Sequence, residues 1–567
     1  MLYAVYKLTL FFNHISMTEL KTKLTGVVKG EVSDEEDDLI RASRDTSLFE
    51  RKPSLVVFPK DADDVAHTVK AIREEAEHGA QVSVTARAAG TDMTGGPLTR
   101  SVVLSCTKHM NRVLEVGETF AVTEPGVYYR DFERSTLDKG LLLPSYPASR
   151  ELAALGGMVA NNSGGERTLK YGKTLDYLEE LECVLSDGSL VTFKNLSPSE
   201  LEMKKAKQDF EGELYRRMDA LIREHAELIR AHTPTVSKNS SGYNLWSVRD
   251  EKTGGFNLAK LICGSQGTLA LWTKARLSLI RPKEHRAMLV VFLTDLNILP
   301  EIVRRVLIEN PESFESYDEH TFMLALRFLP DMLLQMGFTK AARLGVSFLP
   351  EVEMVATGGV PKLVLMAEFA EDTIAEADRR AVAARDALAD LPIKTKIEKD
   401  ERESEKYWIV RRESFNLLRK NLHGKSASPF IDDCVVPPEC YPTFLPELSA
   451  LMSEYADRFI YTVAGHIGNG NFHIIPLMDL SDPRSRQTIL ELTPRVYDLV
   501  FKYGGTTTGE HNDGIIRTPY IPLQFGAAMA ELFAETKRIF DPANIFNPGK
   551  KVGGTTADIE RDMRTRE

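Results

Sequence analysis

At 567 residues the chain exceeds the size at which a single hydrophobic core keeps growing, so two or three domains are expected. Its 43% hydrophobic and 27% charged content is that of a folded soluble chain, and a formal net charge of −11 leaves no diffuse basic surface, which speaks against nucleic acid as a partner. Five cysteines (Cys106, Cys183, Cys263, Cys434 and Cys440) never form a CxxC pair, which argues against a disulfide framework, a zinc ribbon or an iron–sulfur cluster and points to a reducing, cytoplasmic compartment.

The opening MLYAVYKLTLFFNHISM has an apolar stretch too short to span a bilayer and no small-residue cleavage site. It leaves open whether translation starts at Met1 or Met17, and whether the protein touches the inner face of a membrane peripherally. The acidic run within 31–45 reads as a solvated helix face or loop. From Pro53, PSLVVFPKDADDVAHTVKAIREEAEHG predicts a strand, an Asp/Pro turn and an amphipathic helix, and QVSVTARAAG a second strand running into glycine. This alternation predicts an α/β region over 53–280, with a helix over Lys204–His232 carrying Leu214, Met218, Leu221 and Leu228 on one face. Further on, AMLVVFLTDL, a helix over 299–310, a middle block to about 345, KLVLMAEFA, a helix over 373–390 and PIKTKIEK suggest an α+β domain with an antiparallel sheet.

Small residues gather where the strands of the first region end. TARAAGTDMTGG (85–96) lets backbone amides approach an anion, with Thr91 and Thr94 as hydroxyl donors, and this chemistry suits a pyrophosphate. The stretch matches neither G-x-G-x-x-G nor the Walker pattern, and alone it is equally a tight loop. LLPSYPASRELAALGGMVANNSGGERTLKYG (142–172) and GSQGTLALWTKARL (264–277) add two more such loops.

The octet HIGNGNFH (466–473) places Asn469-Gly470 between alternating apolar runs, the signature of a two-residue type I′ hairpin turn. In that register Gly468 opposes Asn471, Ile467 opposes Phe472, and His466 opposes His473 on a shared face. Cross-strand Cβ atoms ~4.5–5.5 Å apart would let both imidazoles reach one divalent cation. Two unrelated half-buried histidines are the alternative, and a third ligand is required.

Together, RAAGTDMTGG, LGGMVANNSGGERTLKYG, GSQGTLALWTKARLSL and IFDPANIFNPGK resemble the FAD-linked oxidase family of vanillyl-alcohol oxidase/p-cresol methylhydroxylase type, and more narrowly its D-lactate, glycolate and D-2-hydroxyglutarate dehydrogenase branch. The resemblance runs from Arg41 to Val552. It implies an α+β chain: a two-part FAD-binding domain over 53–280, an α+β substrate (cap) domain with an antiparallel sheet over 281–455, and a C-terminal FAD-linked oxidase segment over 456–552. An N-terminal segment (1–52) and a tail (553–567) flank them. It departs from the branch at Ala88-Ala89, where glycines are usual, and at Gln266, where GSEGTLG is usual.

Carried over residue by residue, the resemblance implies a pyrophosphate loop of Arg87, Ala88, Ala89, Gly90, Thr91, Asp92, Thr94, Gly95 and Gly96. Pro147, Ala148, Ser149, Gly156, Gly157, Asn161, Asn162, Gly165, Tyr171 and Gly172 would line the flavin and ribityl chain, with Gln266, Gly267 and Asn547 in support. With no histidine in the loop, noncovalent FAD is expected. GEHND (509–513) corresponds to GEHGIG of the branch, which makes His466, His473 and Glu510 the ligands of Zn²⁺ or another divalent metal, and His511 the base. Arg411 aligns with a substrate-carboxylate clamp, its neighbour Arg412 would point elsewhere on a helix, and Asn512 is a candidate substrate contact.

The implied activity is oxidation of a small D-2-hydroxy acid (D-lactate, glycolate or D-2-hydroxyglutarate) by hydride transfer to flavin. Ile475, and PFIDDCVVP (429–437) without the lysine of the hydroxyglutarate enzymes, lean toward a smaller acid, unless Lys425 compensates. The alternatives are a nonredox ether-lipid (alkylglycerone-phosphate) synthase and a flavin subunit of a multi-subunit glycolate dehydrogenase. With no cysteine after Cys440, electrons are expected to leave to a separate acceptor: a quinone, an electron-transfer flavoprotein, a cytochrome or an iron–sulfur protein.

Overall fold

Three sheets organise the chain. The computed structural model describes residues 15–319, 321–323, 359–399, 403–411 and 425–565; Arg412, residues 324–345 of the middle block and the apolar stretch over 1–14 lie outside these. In the first sheet, Leu55–Phe58 and Val84–Arg87 run parallel to the central Val102–Ser105, and Glu31–Ser33 adds an antiparallel edge. The helix Ala62–Glu77 begins where the Asp61 carboxylate accepts the Asp64 amide at 3.1 Å, and it buries Val65, Val69 and Ile72.

The second sheet is antiparallel, in the order Val113–Val116, Phe120–Thr123, Leu271–Ser278, Leu178–Val184, Leu190–Lys194. The expected α/β alternation therefore ends at Ser105, and the FAD-binding half is built from one mostly parallel and one antiparallel sheet. The single helix expected over Lys204–His232 is instead three, Pro198–Ala206, Phe210–Glu224 and Ala226–Ala231. Asp209 restarts the second by accepting the Gly212 amide at 2.9 Å.

The third sheet has eight strands, all antiparallel. Its path runs Lys394–Glu398, His285–Leu293, Leu363–Glu371, Ser313–Asp318, Ile460–His466, Asn471–Met478, Ser426–Ala427, and Cys434–Val435 also pairs with Asn471–Met478. Leu289 and Val291 face the helices Leu299–Ile308 and Ile374–Asp386, while Met288 and Val290 pack against Tyr407 and Trp408 on the other face. Burial on both faces explains why AMLVVFL reads as a continuous apolar run rather than an alternating one. Residues 281–455 and 456–552 share this one sheet through the pairing of Ser316–Tyr317 with Ala464–Gly465.

The hairpin departs from the expected register. His466 pairs with Asn471, Gly465 with Phe472 and Ala464 with His473, around a four-residue loop in which Ile467–Asn469 is a 3-10 turn and Gly470 has φ 72°. Asn469 does not take positive φ, which a type I′ turn requires at both central residues. The slip is two positions, and two preserves strand parity, so His466 and His473 still share a face as diagonal neighbours with ring centroids 5.1 Å apart.

The chain finally returns to the first sheet. The Val84 amide donates to Ile545 O at 2.8 Å, the Asn547 amide to Val84 O at 3.0 Å, and Thr85 Oγ1 to Asn547 Oδ1 at 3.1 Å.

Candidate active site

A cavity of about 1430 Å³ runs from the glycine loops of the first half to the hairpin of the second. Residues 87–92, Gly96, Pro147–Ser149, Gly156, Gly157 and Asn161 line it, as do Gln266, Gly267, Arg411, His466, His473, Glu510 and His511.

In the first loop, the Asp92 carboxylate accepts the amides of Thr94 at 2.9 Å and Gly96 at 2.8 Å, and Asp45 accepts the Gly95 amide at 3.1 Å. Those three amides are thereby committed to the protein. Ala88, Ala89, Gly90 and Thr91 line the cavity and their amides donate no hydrogen bond among the described residues, so four consecutive N–H groups remain uncommitted there, as an anion cradle requires. Burial, aided by the charge of Asp92, pushes the Asp45 carboxyl up to about 7, which limits negative charge beside that cradle. The Arg87 guanidinium turns beneath the loop to the carbonyl of Arg44 at 2.6 Å. At Gly156 a Cβ would meet Pro125 O at 2.7 Å and Ala88 Cβ at 2.9 Å, so glycine lets the helix Leu155–Asn161 dock on the loop, while at Gly157 a Cβ would meet nothing within 4 Å. These features fit a dinucleotide held by backbone.

Other residues expected at the flavin stand behind the wall. Asn162 caps its helix with φ 50°, Gly165 packs so that a Cβ would meet Tyr146 O at 2.2 Å, and Tyr171 Oη donates to Glu312 at 3.1 Å. Gly172 (φ 78°) ends the short helix Thr168–Tyr171, and Asn547 Nδ2 donates to the carbonyls of Gly96 at 2.9 Å and Gln266 at 2.8 Å. Gln266 ties three loops together: Nε2 donates to Asn161 Oδ1 at 3.2 Å and to Thr94 Oγ1 at 3.4 Å, and Oε1 accepts the Gly514 amide at 2.8 Å. Asn512 also lies elsewhere than expected. It is fully buried, its Nδ2 donates to Gly264 O at 2.9 Å and Asn161 O at 3.2 Å, and it does not line the cavity.

At the other end of the cavity, Glu510 Oε1 lies 3.2 Å from His466 Nε2, 3.4 Å from His473 Nε2 and 3.9 Å from His511 Nε2. Each Nδ1 donates to a buried carboxylate: His466 to Glu315 at 2.6 Å, His473 to Asp432 at 3.1 Å and His511 to Asp432 at 2.8 Å. An ionised carboxylate accepts only, so the proton of each neutral ring stays on Nδ1 and the lone pair on Nε2 faces Glu510. Two acceptors cannot face each other at this range without a proton or a cation between them, and that is the chemistry of a metal donor set.

The proton's side of that competition is visible in the site's electrostatics. Burial would depress the His473 pKa, but the charges and hydrogen bonds of Asp432 and Glu510 raise it to about 10. Burial would raise the Asp432 carboxyl, yet His511 and His473 hold it well below the ordinary carboxylate range. Glu510 is likewise held low, against its burial, by the charges of Lys238 and His466.

Asp433, His473, Glu510 and His511 also bring ligand atoms within 4.8 Å of one another. Asp433, however, braces the main chain. Its Oδ2 accepts the amides of Glu510 at 2.9 Å and His511 at 2.7 Å, and its Oδ1 accepts Asn471 Nδ2 at 3.0 Å. Both oxygens are committed, which leaves the Nε2 atoms of His466, His473 and His511 converging on Glu510 Oε1. Arg411, at the end of the described helical stretch 403–411, pairs with Glu315 and approaches His466 Nδ1 at 3.5 Å. Sequence reasoning missed Asp432, Glu315 and Lys238; the only signal was the Asp pair in FIDDCVVP.

Residues 53–194 match the family described as FAD binding domain, and residues 282–551 match FAD linked oxidases, C-terminal domain. The chain belongs to the FAD-linked oxidases. This FAD-linked oxidase is 29% identical to a D-2-hydroxyglutarate dehydrogenase of Pseudomonas putida over 92% of its own length and 50% of that protein's. It is 24% identical to the glycolate oxidase subunit GlcD of Bacillus subtilis over 89% of its length and 90% of that protein's. It thus spans about half the length of the first curated relatives it matches. Among solved structures, a 4-ethylphenol oxidase from Gulosibacter chungangensis superposes with a TM-score of 0.67 at 17% identity, covering 95% of this oxidase and 98% of that chain, so the fold is shared. No helix among the described residues of the oxidase is long and apolar enough to cross a membrane.

Proposed function

We propose that the chain is an FAD- and divalent-metal-dependent dehydrogenase that oxidises a D-2-hydroxy acid to the 2-oxo acid and passes the electrons to a separate acceptor. One observation carries the reading: three imidazole Nε2 atoms converge on Glu510 Oε1 inside the cavity that the flavin loops line. The names of the relatives support the same class of substrate.

Ala88–Thr91 would hold the pyrophosphate of a noncovalent FAD, and His466, His473 and Glu510 a divalent metal such as Zn²⁺. When bound, FAD supplies the hydride acceptor and the metal supplies Lewis acidity toward the substrate hydroxyl. The protein's own residues do the rest. Arg411 grips the substrate carboxylate, a planar cation matched to a planar anion. His511 Nε2 takes the hydroxyl proton, and Asp432, on Nδ1 at 2.8 Å, fixes the tautomer that can accept it and stabilises the imidazolium that results. Lys425 lines the same cavity as Arg411 and gives a second, distal carboxylate a cation, which favours a dicarboxylic acid over lactate or glycolate.

The test is anaerobic bleaching of the flavin absorbance with D-2-hydroxyglutarate, D- and L-lactate and glycolate, before and after chelation. Bleaching by a D-acid that chelation abolishes is the expected result, with D-2-hydroxyglutarate fastest. A bound flavin that no 2-hydroxy acid bleaches would overturn the reading.

A further inference from the structure

Glu510 offers the site two oxygens, and the structure treats them differently. Oε1 faces the three histidine nitrogens, whereas Oε2 accepts Lys238 Nζ at 3.2 Å. The Lys238 side chain is fully buried, does not line the main cavity, and comes from the first half of the molecule, 272 residues earlier in the chain. A lysine ammonium is strongly hydrated in water, so its burial beside a carboxylate needs fixed partners.

Those partners form a closed ring. Lys238 Nζ also donates to Asn471 Oδ1 at 3.4 Å, Asn471 Nδ2 donates to Asp433 Oδ1 at 3.0 Å, and Asp433 Oδ2 accepts the Glu510 amide at 2.9 Å. Main chain and side chain of Glu510 are thereby tied to the same circuit. The segment carrying the lysine is stitched to both halves of the centre: Ser237 Oγ donates to Asn469 O at 2.5 Å, and the Ser240 amide to Thr508 O at 3.0 Å. A second, polar cavity of about 200 Å³, separate from the main one, is lined in part by Lys238.

We propose that Lys238 is a positioning residue that reserves Oε2 of Glu510, so that the carboxylate offers a single oxygen to the histidine cluster and a coordination position stays open for substrate. The inference rests on His466, His473 and Glu510 being the metal donors. Without the ammonium, Oε2 would be a buried, unpartnered charge beside a cation, and the carboxylate would turn both oxygens to the metal. Losing one nearby positive charge would at the same time favour the cation electrostatically. Catalytic efficiency and metal retention should therefore separate.

The experiment uses full-length protein with FAD bound, with Co²⁺ as the probe. In Lys238→Ala, Co²⁺ binding is expected to be no weaker than in the parent, its visible absorption to weaken as coordination number rises, and substrate turnover to fall about 10- to 100-fold. Propylammonium in the buffer, admitted through the second cavity, should restore both the spectrum and turnover. An unchanged Co²⁺ spectrum in Lys238→Ala would overturn the proposal. If that variant fails to hold FAD, Lys238→Gln, which keeps a donor but no charge, is read by the same two criteria. A parent protein whose Co²⁺ spectrum survives His473→Ala would instead show that the metal donors are wrong, and this inference would fall with them.

Discussion

Replacing Asp432 with asparagine tests the geometry of the site most directly. The carboxylate is fully buried and accepts from His473 Nδ1 at 3.1 Å and His511 Nδ1 at 2.8 Å. An amide of the same shape has one acceptor and one donor, so it can serve only one of the two rings as the carboxylate does. The other ring meets an N–H and must move its own proton to Nε2, which removes either a proposed metal donor or the proposed base. The loss of one charge-assisted hydrogen bond is about 1.5–3 kcal/mol, which at about 1.4 kcal/mol per factor of ten predicts a drop in kcat/KM of about 10- to 150-fold. The fold should survive, because the neighbouring Arg517 guanidinium binds the main-chain carbonyl of residue 432, at 2.6 Å, which the substitution leaves in place. Stopped-flow reduction of the flavin, in protein matched for FAD and metal content, is the assay. Reduction of Asp432→Asn at the parent rate would refute the assignment of tautomers.

The remaining expectations concern separate parts of the molecule. His511→Ala should keep FAD and metal yet lose about 10²–10⁴ in substrate reduction, whereas His466→Ala should also lose metal, as elemental analysis would show. Gly90 has φ 74°, and a Cβ there would meet Arg87 Nη2 at 2.2 Å, so Gly90→Ala should release FAD on gel filtration while unfolding close to the apoprotein. Lys551 Nζ and Asp513 Oδ2 form a fully buried pair at 2.9 Å, and Asp513→Ala, which strands the cation, should cost about 3–5 kcal/mol in denaturant unfolding.

The loops that line the cavity were legible in the sequence because close backbone approach needs small residues: Gly90 takes positive φ after a strand, and Gly156 lets a helix dock against Pro125 and Ala88. The shared face of His466 and His473 was legible because strand parity survives an even slip, although the register itself was not: whether Asn469 enters the left-handed region depends on the packing of the loop, not on its own preference. Asp432, Glu315 and Lys238 were hidden for another reason. Each acts through contacts made across the fold, His511 lying 79 residues from Asp432, His466 lying 151 from Glu315, and Glu510 lying 272 from Lys238, and no local spacing records such a meeting. Asn512 misled because its neighbours are chemical while its own amide is a brace between backbones.

The return of residues 545–547 to the edge of the first sheet bears on how the molecule is made. Val84 and Thr85, which lead into the anion cradle, wait for partners synthesised about 460 residues later, Thr85 and Asn547 being 462 apart. Arg51 similarly waits for Asp562, 511 residues on. On a ribosome emitting about 5–20 residues per second, the half that holds the nucleotide leaves the tunnel first and cannot finish its own edge for tens of seconds. Until then that edge is open to chaperones and to neighbouring chains, and a nascent chain stopped before residue 545 would carry every flavin-loop glycine while lacking the segment that braces the first of them.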